Sequence, residues 1–191
     1  MGVLTGLTLF CPPGSRVLLD RGCHRSAFNA LALLDLDPVY LPRPWLAEEN
    51  LVGPFGPEQV EAAFRAGGEY IISPNTDPEV IAKTKELGMV SIPGAMTPTE
   101  ILTAHKCGAD FVKLFPASDL GLSYMKSISA PISHVKLLAT GGVTEKNFAD
   151  YLRAGFWGAG VSGRLCDRKL IAEGNFREIT RRAMEFAQLC D

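Results

Sequence analysis

The chain has 191 residues, 47% of them hydrophobic and 21% charged, with a formal charge of −2. That is the size and make-up of one globular domain with its own core, and a single unit over 1–191 is expected. The charge balance holds no excess of cation for a phosphate backbone or an anionic lipid surface, and no run approaches the ~20 apolar residues of a membrane span, so nucleic acid and membrane are excluded as partners.

Residues 3–10 suit a helix or a strand equally; the apolar run there lacks the basic flank and small-residue cleavage site of a leader. A strand pattern follows at 17–20, a helix from about 24 to 34 and a second strand at 38–41. Pro12-Pro13-Gly14, Pro42-Arg43-Pro44 and Gly53-Pro54-Phe55-Gly56-Pro57 break this front region into short pieces, before a helix over 56–66. From there on the pattern is regular. Short apolar runs at 70–73, 89–93, 111–115, 135–139 and 158–161 alternate with amphipathic stretches, as in a parallel sheet covered by helices. Asp77-Pro78-Glu79 and Thr97-Pro98-Thr99-Glu100 mark two helix starts, the second a capping box, and Gly88 and Gly108 mark the two stops. Thr144 is read as the cap of a further helix through Arg153, and a last helix spans about 175 to 189. The five cysteines, Cys11, Cys23, Cys107, Cys166 and Cys190, are odd in number and form no CxxC pair, which fits free thiols in a reducing, cytoplasmic compartment.

Lys113 lies in the middle of an apolar strand. Alternation puts Lys113 and Phe115 on one face and Val112 and Leu114 on the other. In a sheet covered on both sides either face is buried, so the amine should lose hydration and its pKa fall, leaving a nucleophile for a carbonyl. The same spacing also suits a lysine that snorkels outward or pairs with a carboxylate. Lys136, at the beginning of its strand, should point to the opposite, solvated end and is given no role. The strands end in residues suited to a binding mouth, Pro93-Gly94, Phe115-Pro116, Thr140-Gly141-Gly142 and Ser162-Gly163-Arg164, and ligands of parallel α/β proteins sit at the carboxyl ends of strands. Two neighbouring glycine loops with free N–H groups, and a helix start behind the second, suit a phosphate. Those glycines also suit ordinary turns.

Four blocks in order carry a resemblance: Gly67 to Pro74, Ile92 to Glu100, Phe111 to Ala117 and Ala139 to Val143. Residues from about 67 to 190 resemble class I 2-keto-3-deoxy-6-phosphogluconate (KDPG) and 2-keto-4-hydroxyglutarate (KHG) aldolases. The resemblance implies that Lys113 forms an imine with a 2-keto acid such as pyruvate, that Pro93, Phe115 and Thr140 line the pocket, and that Gly141, Gly142, Ser162 and Gly163 hold a substrate phosphate. The family usually has Gly-Ser where this chain has Ser162-Gly163. It also implies a first-strand arginine, a second-strand glutamate acting as base and a Gly-Ala-Gly-Thr loop, none of which precedes Gly67. Residues from about 3 to 63, with Cys23-His24-Arg25-Ser26 and Pro38 to Pro42, resemble instead a large-domain fragment of pyridoxal-phosphate (PLP) dependent ornithine/lysine/arginine decarboxylases. There the residue matching His24 stacks on the PLP ring; the parts carrying that family's PLP lysine and ring-nitrogen aspartate are missing here.

The sequence therefore reads as an engineered chimera, a 1–64 decarboxylase-like piece joined to a 65–191 aldolase-like part. The expected fold is a TIM-barrel-like parallel β/α barrel of about seven strands, with an open doubly wound parallel sheet as the alternative. Three functions compete: a scaffold that keeps Lys113 and the phosphate loops but catalyses little, a working class I aldolase in which Asp20 substitutes as base, and a phosphate-binding module. No metal and no cofactor, PLP included, is expected. The expected partners are a 2-keto acid or phosphate; at the gap left by the missing first strand, either residues 3–10 fill it or a second copy of the chain covers it in a homo-oligomer.

Overall fold

The computed structural model describes residues 11–189 apart from 21, 22, 24, 42, 162 and 166. The expectations for residues 3–10, His24, Ser162, Cys166 and Cys190 thus lie outside the described residues.

The elements in chain order are β1 (Arg16–Asp20), α1 (Arg25–Leu34), β2 (Asp37–Leu41), β3 (Trp45–Leu46), β4 (Leu51–Val52), α2 (Pro57–Arg65), β5 (Tyr70–Ile72), α3 (Pro78–Glu86), β6 (Val90–Ile92) and β7 (Gly94–Ala95). They continue with α4 (Pro98–Lys106), β8 (Val112–Leu114), α5 (Ala117–Ser129), β9 (Leu137–Thr140), α6 (Phe148–Arg153), β10 (Gly158–Gly160), α7 (Arg168–Ala172) and α8 (Phe176–Gln188).

Strand order follows chain order. β1 pairs with β2 and β5 with β6, while β7, β8, β9 and β10 form one sheet in that succession, all in parallel. A doubly wound sheet reverses its order at a switch point, and none occurs among the described residues. The arrangement is that of a TIM-barrel-like α/β fold. β6 and β7 are one strand divided at Pro93, which has no N–H to give to a ladder. On one side of the division Ser73 N donates to Ile92 O at 3.3 Å, and on the other Lys113 N donates to Pro93 O at 2.8 Å. The described residues show no ladder from β2 to β5 or from β10 to β1.

Helix ends follow the cap chemistry. The Asp77 carboxylate accepts from Glu79 N and Val80 N, and Thr97 and Glu100 complete a reciprocal capping box. The reading of Thr144 as a cap is corrected. α6 starts at Phe148 after Asn147, and Thr144 is held one turn earlier, its N–H donating to Asn147 Oδ1 at 2.7 Å. A short antiparallel hairpin, β3 with β4, was not foreseen.

The core lies outside the strands. Val112, Leu114, Leu137 and Ala139 turn outward and are buried against Ile101, Met125, Phe148 and Phe186 of the surrounding helices. A second cluster, Val60, Val80 and Met89, seals α2 and α3 onto β6. The inward face differs. Tyr70 is 60% exposed, Ile72 54% and Phe115 46%. The expectation that both faces of the Lys113 strand are buried is therefore corrected: the outer face is fully buried, and the inner face is partly exposed at Lys113 and Phe115.

Candidate active site

Register places Lys113 opposite Gly94 on one side and Leu138 on the other, with Gly158 beyond. The amine therefore projects from the inner face, flanked by two residues without side chains and one leucine. Gly94 is required by close approach, since a Cβ there would stand 2.3 Å from Pro74 O. Lys113 is half-buried, and desolvation holds its pKa below the ordinary 10.5. Its Nζ lies 5.6 Å from the Phe115 ring centroid, a contact that favours the ammonium by only about 0.5–1 kcal/mol. Among the described residues Lys113 has no ion-pair partner, so no nearby carboxylate offsets the desolvation. Lys136 has another setting: it is exposed, its Nζ 4.8 Å from the Trp157 ring centroid and 5.5 Å from that of Phe111.

Around the mouth, Pro93 is fully buried and serves β8 through its carbonyl. Thr140 ends β9 in register with Gly160, whose lack of a side chain leaves the threonine hydroxyl its space; a Cβ there would come within 2.9 Å of Oγ1. Gly141 and Gly142 both have positive φ, and a Cβ on Gly142 would overlap Ser118 at 2.3 Å. Only glycine lets this loop settle on the start of α5. The N–H groups of Gly142 and Gly163 find no acceptor among the described residues. The expected helix start behind the second loop is corrected as an anion site. α7 is five residues long, and the Asp167 carboxylate already accepts from Lys169 N and Leu170 N.

Asp20 ends β1 at the same end of the fold. Arg43 Nη1 donates to both its carboxylate oxygens at 3.1 Å, and Nη2 donates to Gly53 O. Asp20 and Arg43 line a cavity of about 720 Å³ with Tyr70, Ile72, Ser73 and Asn75, which Lys113 does not line. Sequence reasoning missed Arg43, and it missed the pairing of Arg164 with Glu145, where Arg164 Nε donates to Glu145 Oε2 at 2.9 Å and Nη2 to Oε1. Arg164 holds the Glu145 carboxyl down at about 2. No group of three or more histidine, cysteine or acidic side chains suited to a metal occurs among the described residues. No described helix is long and apolar enough to cross a membrane.

A desolvated lysine on the inner face of a parallel β/α fold, with glycine loops at the strand ends, is the arrangement these residues form. The model of the KDPG and KHG aldolase family matches residues 52–182, and the chain belongs to that family. Among curated proteins it is 42% identical over 110 residues to the 2-dehydro-3-deoxy-6-phosphogalactonate aldolase of Escherichia coli strain K12, covering 57% of this chain and 54% of that protein. It is 32% identical over 133 residues to the 2-dehydro-3-deoxy-phosphogluconate aldolase of Treponema pallidum strain Nichols, covering 69% of this chain and 63% of that protein. The chain thus spans between about half and two thirds of the length of these relatives. A solved structure described as native KDPGal superimposes with a TM-score of 0.66 at 27% identity, covering 98% of this chain and 86% of its own. That likeness includes the front of the chain, whereas the family model starts at residue 52. The decarboxylase resemblance of residues 3–63 is not supported: the family match begins at residue 52, inside that stretch, and the structural likeness to an aldolase covers 98% of the chain.

Proposed function

We propose that the chain carries a class I aldolase site in which Lys113 forms an imine with a 2-keto acid such as pyruvate. In the cleavage direction the amine adds to the C2 carbonyl, water leaves, and the C3–C4 bond breaks as a base takes the C4 hydroxyl proton. The bonding electrons pass to the iminium nitrogen. Protonation of the resulting enamine and hydrolysis then release the keto acid. The chemistry uses the lysine amine and calls for no metal or organic cofactor. Phe115, Pro93 and Thr140 form the pocket wall, and Gly141, Gly142, Ser162 and Gly163 hold a phosphate. The single observation that carries this reading is the half-buried Lys113, without an ion-pair partner among the described residues, on the inner face of an aldolase-family chain.

The same observation argues for slow turnover. Loss of a positioned base costs ~10²–10⁴-fold in rate, so imine formation survives where cleavage fades. We infer that the residues ahead of the family match, which lack the family's second-strand glutamate, leave the chain closer to a scaffold than to an efficient enzyme. A second reading, an active aldolase with Asp20 as proton acceptor, is favoured by the place of Asp20 at the carboxyl end of β1 beside an open cavity. Its cost is the displacement of Arg43.

Borohydride trapping with pyruvate, followed by intact mass, tests the imine: one adduct is expected on the wild type and none on Lys113→Ala. An equal adduct on both would remove the first step. Release of pyruvate from KDPG at background rate despite trapping fits the slow-turnover reading, and turnover abolished by Asp20→Asn fits the second.

A further inference from the structure

The glycine loops after β9 and β10 can hold one phosphate only if Gly142 and Gly163 keep a fixed separation, and glycine backbones do not keep it themselves. Two side chains three residues or fewer from those glycines bridge the loops. Arg164, next to Gly163, grips Glu145, three residues beyond Gly142, through Nε and Nη2 in a two-point bond. Each end of the bridge is anchored further back. Arg182 of α8, 13% exposed, donates from Nη1 to Arg164 O at 3.0 Å and from Nε to Glu178 Oε1 at 3.0 Å. On the other loop Asn147 Nδ2 donates to Gly142 O at 3.1 Å, while its Oδ1 accepts from Thr144 N. A continuous line therefore runs from α8 through Arg182, Arg164, Glu145 and the 142–147 turn back to Gly142.

We propose that Glu145 and Arg164 are positioning residues that clasp the two phosphate loops at their working separation. This rests on the phosphate-holding part of the functional reading above. Glu145 brings a negative charge close to the place where an anion is to sit, and only its pairing with Arg164 makes that tolerable. Removing the arginine therefore both loosens the loops and bares a repelling carboxylate, whereas removing the carboxylate only loosens them.

The test measures inorganic phosphate affinity by calorimetry, alongside borohydride trapping of pyruvate, which carries no phosphate. Arg164→Met is expected to weaken phosphate binding by about tenfold or more and Glu145→Gln by less, through lost preorganisation. The double variant Glu145→Gln/Arg164→Met should bind better than Arg164→Met alone, and the reciprocal swap Glu145→Arg/Arg164→Glu should recover part of the loss. Trapping should proceed at wild-type rate throughout. Single variants that bind phosphate within twofold of wild type would overturn the clasp and leave the functional reading intact. Variants that lose trapping as well would make the pair a general strut and overturn it too. A wild type that traps pyruvate but ignores phosphate would remove the phosphate site and the clasp together, while Lys113 chemistry stood.

Discussion

Lys113 shows how much of a site alternation can disclose and where it stops. The sequence put it on one face of a strand with Phe115, and the two do share the inner face. The ion pairs at the strand ends were not legible. Arg43 with Asp20 and Arg164 with Glu145 are separated by 23 and 19 positions, and no periodicity links residues brought together by loops. The lowered pKa of Lys113 fixes two expectations. Below its folded value the amine is protonated, so the rate of pyruvate trapping should climb with pH and level off short of 10.5. Stability follows the opposite protonation ledger. Between the folded pKa and 10.5 the unfolded chain binds a proton that the folded chain does not, so stability rises with pH across that window. Lys113→Met should accordingly stabilise the fold at neutral pH, with an advantage that shrinks as the window is crossed, read from urea midpoints of both proteins at several pH values.

The elements from β5 onward were legible because several signals agree within each. The Asp77 and Thr97 caps, the prolines after them and Gly88 and Gly108 in positive φ all point to the same helix limits. A run was expected at each of the parallel strands except β7, since the expected run at 89–93 stopped at Pro93 and the strand resumes at Gly94–Ala95. The β3–β4 hairpin escaped because two residues per strand carry no alternation to detect, and α6 was placed too early because a threonine before a glutamate mimics a cap, whereas the turn 144–147 precedes the helix and Asn147 holds that turn through Thr144 N. Thr97→Ala should cost about 1 kcal/mol, seen as a lower urea midpoint at unchanged slope. The matching Glu100 carboxyl is held below its ordinary value first by the Thr97 hydroxyl and then by the Met96 and Thr97 N–H groups. Its share of stability is full above pH 4.5 and is lost as pH falls through the lower, folded value. Gly142→Ala, facing both a positive φ and the Ser118 contact, should destabilise the loop by about 1–3 kcal/mol and weaken phosphate binding by calorimetry.

At the scale of the whole molecule the division of labour between the two faces of the sheet governs what changes it will bear. Leu114→Ala, in the outer core, should cost about 2–5 kcal/mol in a denaturant titration. Tyr70→Ser and Ile72→Thr, on the open inner face, should each stay within about 0.5 kcal/mol of wild type in the same titration. Closure was the part of the architecture that sequence could not settle, because it depends on how β1 and β2 meet β5 and β10, and the ladders among the described residues do not join them.

The split at Pro93 has a further consequence. One strand serves as the common border of two ladders, its first half bonded to β5 and its second to β8, so the amide record of opening should fall into two groups on either side of a position that has no amide to exchange. Val90, whose N–H donates to Glu69 O, and Ile92 would report the breathing of the front border and Ala95 that of the lysine sheet, which turns a single proline into a natural boundary for hydrogen-exchange measurements on the two halves.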